Sequence, residues 1–274
     1  MVRPLKVLCI GGSDSGGGAG IQADLKAVNA CGCYAMTVIT ALTAQNTRGV
    51  QNIFPVPKKF IAAQLDSVLS DIGSDAVKTG MLLTPGAVDA VVRAIVHYRL
   101  KNVVVDPVMT AKGGRTMMCE AAQRVLVKKL LPLASVVTPN IPEAESLAGM
   151  KIRSVAEMKK AAFVICATGV KYVVIKGGHL FGRNIAGSID IVYDGNQFCE
   201  FSSERIKTKN THGTGCTFAS VLAASLAQGM NAAESAGRAK SMVSSAIKHS
   251  LQLGKGHGPV NIFKSLYLSG WRES

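Results

Sequence analysis

No apolar run in the 274-residue chain approaches the ~20 residues that a membrane-spanning helix requires. The first strand-like segment, Val7 to Ile10, starts so near residue 1 that no room is left for a signal or transit peptide. Cysteine is scarce and scattered: there are seven, none in a C-x-x-C pair, with Cys9 and Cys166 inside apolar segments. Free thiols in a reducing compartment, and hence a cytoplasmic protein, are expected. The five histidines (His97, His179, His212, His249, His257) show no ligand spacing with one another or with a cysteine pair, which excludes structural zinc. Acidic residues are the scarce charge, 17 Asp and Glu against 31 Lys and Arg. The resulting net charge of +14 is spread as short pairs (Lys58-Lys59, Lys128-Lys129, Lys159-Lys160) with no long basic run. With only 5% aromatics for base stacking, a solvated basic surface is expected rather than a nucleic-acid site.

Hydrophobic residues, at 48%, are plentiful enough for a large core, and no linker or low-complexity stretch divides the chain, so residues 1–274 are expected to form a single domain. Strand-like apolar runs alternate with stretches of helical period, the pattern of βαβ units in a largely parallel sheet. Strands are expected at Lys6–Gly11, Ala35–Ala44, Ala76–Gly80, Asn102–Asp106, Ser135–Thr138 and Tyr172–Lys176. Helices are expected at Ala19–Ala30, Pro57–Ser70, Pro85–His97, Ala121–Leu131, Pro142–Leu147, Val155–Ala167, Gly215–Gln228 and Ala232–His249. One segment breaks the alternation. Ile189–Tyr193 and Gln197–Phe201 flank Asp194-Gly195-Asn196, which reads as a β-hairpin at the edge of the sheet.

In an open parallel sheet, ligands bind beyond the carboxyl ends of the strands. Here those ends run into Gly11–Gly20, Asp106-Pro107-Val108-Met109, Thr138-Pro139-Asn140 and Lys176-Gly177-Gly178-His179, contents suited to a cleft. The first loop is not a nicotinamide fingerprint, because no Asp or Glu lies about 20 residues on to hold a ribose. It is not a Walker A loop either, because no Gly-Lys-Ser/Thr follows the glycines. The strongest local signal is Asn210-Thr211-His212-Gly213-Thr214-Gly215-Cys216, a glycine turn leading into an apolar helix. Free N–H groups and the helix dipole there suit an anion, and the same field is expected to lower the pKa of Cys216. A cysteine-protease pairing of Cys216 with His212 is not supported, since triad members lie far apart in sequence and no separate oxyanion arrangement is visible. Asn140 and Glu143 form an N-x-x-E set at a helix start, where the carboxylate serves either as a first-turn acid or beside Mg²⁺ and phosphates.

Ser13-Asp14, Gly16 to Lys26, Thr40 to Thr47, Lys78-Thr79-Gly80-Met81-Leu82, Asp106 to Met109, Thr138 to Ala144, Lys176 to His179, Asn210 to Cys216 and Gly254 to Val260 together resemble the hydroxymethylpyrimidine (phosphate) kinases of thiamine biosynthesis. The motifs follow that family's order over nearly the whole chain. The resemblance implies a ribokinase-like three-layer α/β/α fold with ATP as phosphoryl donor and Mg²⁺ as cofactor. It places Cys216 as base for the acceptor hydroxyl, with Gly213, Thr214, Gly215 and Cys216 backbone groups around the transferring phosphoryl. Lys176 is set against the ATP phosphates, and Asp106, Asn140 and Glu143 around Mg²⁺ and its waters. The aminopyrimidine falls among Gly12, Ala19, Asp24, Gln45, Met81 and Val108. The family is commonly dimeric, so a homodimer is expected. The rival readings are a pyridoxal kinase of the same fold and a non-catalytic nucleotide- or nucleic-acid-binding protein.

Overall fold

The computed structural model describes residues 3–110, 114, 116–180 and 187–264. Nine strands form one sheet: β1 Lys6–Asp14, β2 Tyr34–Asn46, β3 Gly49–Pro55, β4 Ala76–Thr79, β5 Val103–Val105, β6 Val136–Val137, β7 Tyr172–Ile175, β8 Ser188–Tyr193 and β9 Phe198–Ser203. Their spatial order is β3-β2-β1-β4-β5-β6-β7-β8-β9. The six from β2 to β7 pair in parallel, and β3, β8 and β9 close the two edges antiparallel. The expected hairpin is thus present at one edge, as β8–β9. The hairpin arm β3 at the other edge has no counterpart in the sequence reading. Its Gly49-Val50-Gln51-Asn52 start carries no apolar alternation, and it is held as a strand by pairing with the overlong β2, Leu42 opposite Phe54 and Thr43 opposite Ile53.

Among the described residues six helices lie between strands, α1 Gly20–Ala30, α2 Lys58–Asp71, α3 Pro85–His97, α4 Glu120–Val125, α5 Ile141–Ala148 and α6 Val155–Cys166, and two follow the last strand, α7 Thr214–Ala227 and α8 Ala232–Lys248. The fourth expected helix, Ala121–Leu131, is α-helical only to Val125 and continues as a π turn over Leu126–Leu130 and a 3₁₀ turn over Leu131–Leu133. Pro132 in that last turn lacks the N–H that would extend the regular ladder.

Alternation along the buried strands sorts the two faces. Leu8, Ile10, Val77, Val105 and Val137 pack with α2 to α6, whereas Val7, Cys9, Val104, Val136 and Val174 pack with α1, α7 and α8. The result is the three-layer α/β/α arrangement implied by the resemblance. A third, small apolar group of Ala41, Met81 and Met117, with Ile53, Leu83 and Val108 against it, lies off the main core, beyond the carboxyl end of β4 and β5.

One further piece of chain completes that edge. Gly256 N–H donates to Thr47 Oγ1 at 3.1 Å, and His257 N–H to the Thr47 carbonyl at 2.7 Å. Gly258 N–H donates to Asn210 Oδ1 at 3.0 Å, while His212 N–H donates to the Gly258 carbonyl and Val260 N–H to the His212 carbonyl, both at 3.1 Å. Residues 256–260 therefore strap the β2–β3 turn to the glycine turn before α7. No helix among the described residues is long and apolar enough to cross a membrane.

Candidate active site

A cleft of about 640 Å³ opens over the carboxyl ends of the parallel strands. Its floor at one end is the start of α7. Gly213 caps that helix with φ of 81°, and a Cβ at this position would run into the Gly18 carbonyl oxygen, so a side chain is excluded twice over. Two residues on, a Cβ added to Gly215 would stand 3.5 Å from Lys176 Nζ and 3.6 Å from Asp106 Oδ2. The helix start therefore looks directly onto that pair.

Lys176 Nζ lies 2.9 Å from Asp106 Oδ1, which also accepts the Thr138 hydroxyl at 3.2 Å. Burial alone would discharge Lys176, but Asp106 and Glu143 hold its ammonium above the ordinary lysine range. Asn140 and Glu143 form a reciprocal capping box on α5: Glu143 N–H donates to Asn140 Oδ1 at 3.0 Å and Asn140 N–H to Glu143 Oε2 at 2.9 Å. The helix-start role is thus realised, yet Glu143 also belongs to the polar cluster. Burial, opposed by Lys176 and reinforced by Asp106, pushes its carboxyl up to about 7.

Cys216 stands in the first turn of α7, close to the start of α1 at Gly20. The helix field does not lower its pKa as expected. Burial, with Asp24 and Asp106 adding to it and Lys78 opposing, pushes the thiol up to about 11. In the free protein at neutral pH it is a thiol. Its alkylation by iodoacetamide should therefore lag behind that of the exposed Cys119 and Cys199 and quicken about tenfold per pH unit up to pH ~11. Peptide mass spectrometry of the time course reads this directly, and Cys216 labelling first at neutral pH would restore the low-pKa expectation.

The other end of the cleft is apolar and small. Met81 lies over Gly12, where an added Cβ would strike its methyl group, and Val108 and Ala19 complete the walls. Gln45 is the amide here, and Thr43 Oγ1 lies 3.1 Å from its Oε1. Of the acceptor residues implied by the resemblance, Gly12, Ala19, Gln45, Met81 and Val108 come together. Asp24 borders the same cleft, with its carboxylate already engaged from below. It is 0% exposed, and its two oxygens accept the Lys78 ammonium at 2.8 and 2.9 Å and the Ser220 hydroxyl at 2.8 Å. It is the anion of a buried ion pair beneath the floor, where Asp24 keeps Lys78 protonated.

Three groups of consequence carry no role in the sequence reading. Lys78 sits in a fully buried strand, and a charge inside the run Ala76-Val77-Lys78-Thr79 is the signal that marks it. Lys240, 8% exposed, reaches Asp190 Oδ1 at 3.0 Å and Ser188 Oγ at 2.9 Å at the far end of the cleft, and an amphipathic helix pattern gives no hint of it. Asp14 gathers the N–H groups of Gly16 at 2.8 Å, Gly18 at 3.1 Å and Ala19 at 2.8 Å, and it meets His212 Nε2 at 2.8 Å. His212 thus turns to Asp14.

A helix start and a lysine suited to phosphate, next to an apolar wall, are features that phosphoryl transfer to a small organic alcohol requires. The chain belongs to the phosphomethylpyrimidine kinase family, whose model matches residues 14–261. It is 53% identical over 255 residues to the thiamine biosynthesis bifunctional protein ThiED of Geobacter sulfurreducens, covering 93% of this chain and about half, 51%, of that relative. It is 44% identical over 258 residues to the hydroxymethylpyrimidine/phosphomethylpyrimidine kinase of Bacillus subtilis, covering 94% of each. Among solved structures, the ADP complex of Bacillus subtilis pyridoxal kinase matches with a TM-score of 0.89 at 40% identity, over 96% of this chain and 99% of that one.

Proposed function

We propose that this chain transfers the γ-phosphoryl group of ATP to the hydroxyl of 4-amino-5-hydroxymethyl-2-methylpyrimidine, and then phosphorylates the resulting monophosphate, in thiamine biosynthesis. The observation that carries this reading is the union of a ring-sized pocket, with Met81 and Val108 on its walls and the Gln45 amide at its rim, with the glycine turn at Gly213–Cys216.

In this reading the ring lies among Gly12, Ala19, Gln45, Met81 and Val108, with its hydroxymethyl group aimed at Cys216. The N–H groups at the start of α7, from Gly213 to Cys216, stabilise charge on the transferring phosphoryl, and Lys176 holds the donor phosphates. Cys216 contacts the acceptor hydroxyl and, in its thiolate form, takes the hydroxyl proton as the new P–O bond forms and the bond from the γ-phosphorus to the bridging oxygen breaks, releasing ADP. Lys78 and the Gly20 N–H favour that thiolate. Asp106, Glu143 and Asn140 would hold a Mg²⁺ ion through the two hard carboxylates of Asp106 and Glu143, which lie by the same lysine. An ion there would complete its shell with phosphate oxygens and water, and bound it would neutralise charge on the donor.

The likeness to pyridoxal kinase supports a second reading, phosphorylation of pyridoxal in the same pocket. Phosphorus NMR of the purified protein with ATP, Mg²⁺ and the hydroxymethylpyrimidine decides between them. Monophosphate that converts to pyrophosphate is expected. Monophosphate accumulating alone would remove the second transfer, and faster phosphorylation of pyridoxal would give the assignment to the second reading.

A further inference from the structure

His212 Nε2 faces two side chains at once, Asp14 Oδ2 at 2.8 Å and the amide end of Gln45 at 3.2 Å. The chemistry of Asp14 fixes which way the protons run. Its side chain is 3% exposed, and Oδ1 accepts the Gly16 N–H while Oδ2 accepts those of Gly18 and Ala19. Every partner but the imidazole is a committed donor, so Asp14 is a carboxylate. In accord with this, although burial opposes ionisation, the bonds from His212, Gly16 and Ala19 hold its carboxyl below the ordinary aspartate range. The imidazole must therefore carry a hydrogen on Nε2.

An N–H at that position cannot face the amide nitrogen of Gln45, because two donors would oppose each other. The carboxamide resolves this by presenting its oxygen to His212 and its nitrogen to Thr43 Oγ1, 3.1 Å from the other arm of the amide. Thr43 then accepts from Gln45 and donates its one hydroxyl hydrogen to the Ser13 carbonyl at 2.9 Å. Each member of the chain from Asp14 to Ser13 is satisfied in this arrangement. With the amide the other way round, Thr43 would owe a single hydrogen to both Gln45 and Ser13.

We propose that His212, locked by Asp14, is a positioning residue that sets the orientation of the Gln45 carboxamide and so leaves an N–H of Gln45 for a hydrogen-bond-accepting atom of the acceptor ring. His212 lies in the turn that leads to Gly213, so the same imidazole ties recognition of the ring to the helix start that receives the phosphoryl group. The acceptor class this selects is a heteroaromatic alcohol with a ring lone pair at the Gln45 edge. This rests on Gln45 as an acceptor contact.

The test is a double-mutant cycle of His212→Ala and Gln45→Ala, with kcat and KM measured separately for ATP and for whichever acceptor the enzyme turns over. Each single substitution should lower kcat/KM for the acceptor about tenfold, and the double variant should be no worse than either single one. The KM for ATP should stay within about twofold. His212→Gln, which can still offer an N–H to Asp14, should recover part of the loss. If the losses multiply, or if His212→Ala acts through ATP alone, the coupling to Gln45 is wrong. A structural defect in His212→Ala does not shield the idea, because the tautomer is read on the unsubstituted enzyme. Nitrogen-15 NMR at pH about 8, with the His212 signals assigned by their loss in His212→Gln, should show the ring hydrogen on Nε2. A hydrogen on Nδ1 overturns the proposal whatever the acceptor proves to be.

Discussion

Cys216→Ala should lower turnover by about 10²-fold or more, the usual weight of a general base, with ATP binding little changed. The sulfur stands in the first turn of α7 near the Thr214 hydroxyl, and the backbone donors around it survive the substitution. The variant should therefore retain nucleotide affinity while losing its grip on the acceptor hydroxyl. Its pH profile carries further information. If the thiolate is the working base, wild-type turnover should rise with pH on the acid side of a thiol pushed up to about 11, and that rise should be absent from the variant. Steady-state assays across pH with direct measurement of ATP binding test both points. Turnover within a factor of a few of wild type would assign the proton transfer elsewhere.

Lys78→Met is expected to destabilise the fold by about 3–5 kcal/mol, the range for stripping one partner from a buried ion pair. Lys78 and Asp24 are 1% and 0% exposed as side chains, and they join β4 to α1 and, through Ser220, to α7. Without the ammonium, Asp24 keeps only the Ser220 hydroxyl and is driven to its neutral form, since burial already raises its carboxyl. A carboxyl whose folded pKa is raised costs nothing below its unfolded value near ~3.9 and progressively more as pH climbs from there towards the folded value. The gap between variant and wild type should consequently be smaller at about pH 5 than at about pH 8, and Asp24→Asn added to Lys78→Met should recover part of it. Urea unfolding at both pH values is the measurement. A loss under about 1 kcal/mol, or one independent of pH, would show that the pair is not held charged in the core.

The parallel strands and most helices were legible because their buried runs and caps are local properties of the sequence. Pro85–His97 is a helix to the residue, opened by the Thr84 side chain. Strand β3 was not, because its polar start becomes a strand only by pairing with β2. The site divides along the same line. Gly213, Gly215, Lys176 and Asp106 could be read from turns and strand ends, and the structure brings them within reach of one another. The buried pairing of Asp24 could not, since its partner is Lys78, 54 positions away. The Cys216 shift runs against the expectation for a related reason: a helix start is visible in sequence, whereas the burial and carboxylates that outweigh it come from distant elements.

The strap of residues 256–260 adds a vectorial element to how this protein comes into being. Its bonds to Thr47 span 209 positions, so closing them requires a very long loop to be ordered first. A nascent chain reaches residue 203 with all nine strands synthesised and residue 227 with α7 complete, yet nothing at that stage joins the β2–β3 turn to the backbone of His212. The sheet and α7 precede, on the ribosome, this backbone tie between the wall proposed to read the ring and the turn proposed to receive the phosphoryl group. Residue 256 and its neighbours add a backbone tie to the one that the His212 side chain makes with Gln45.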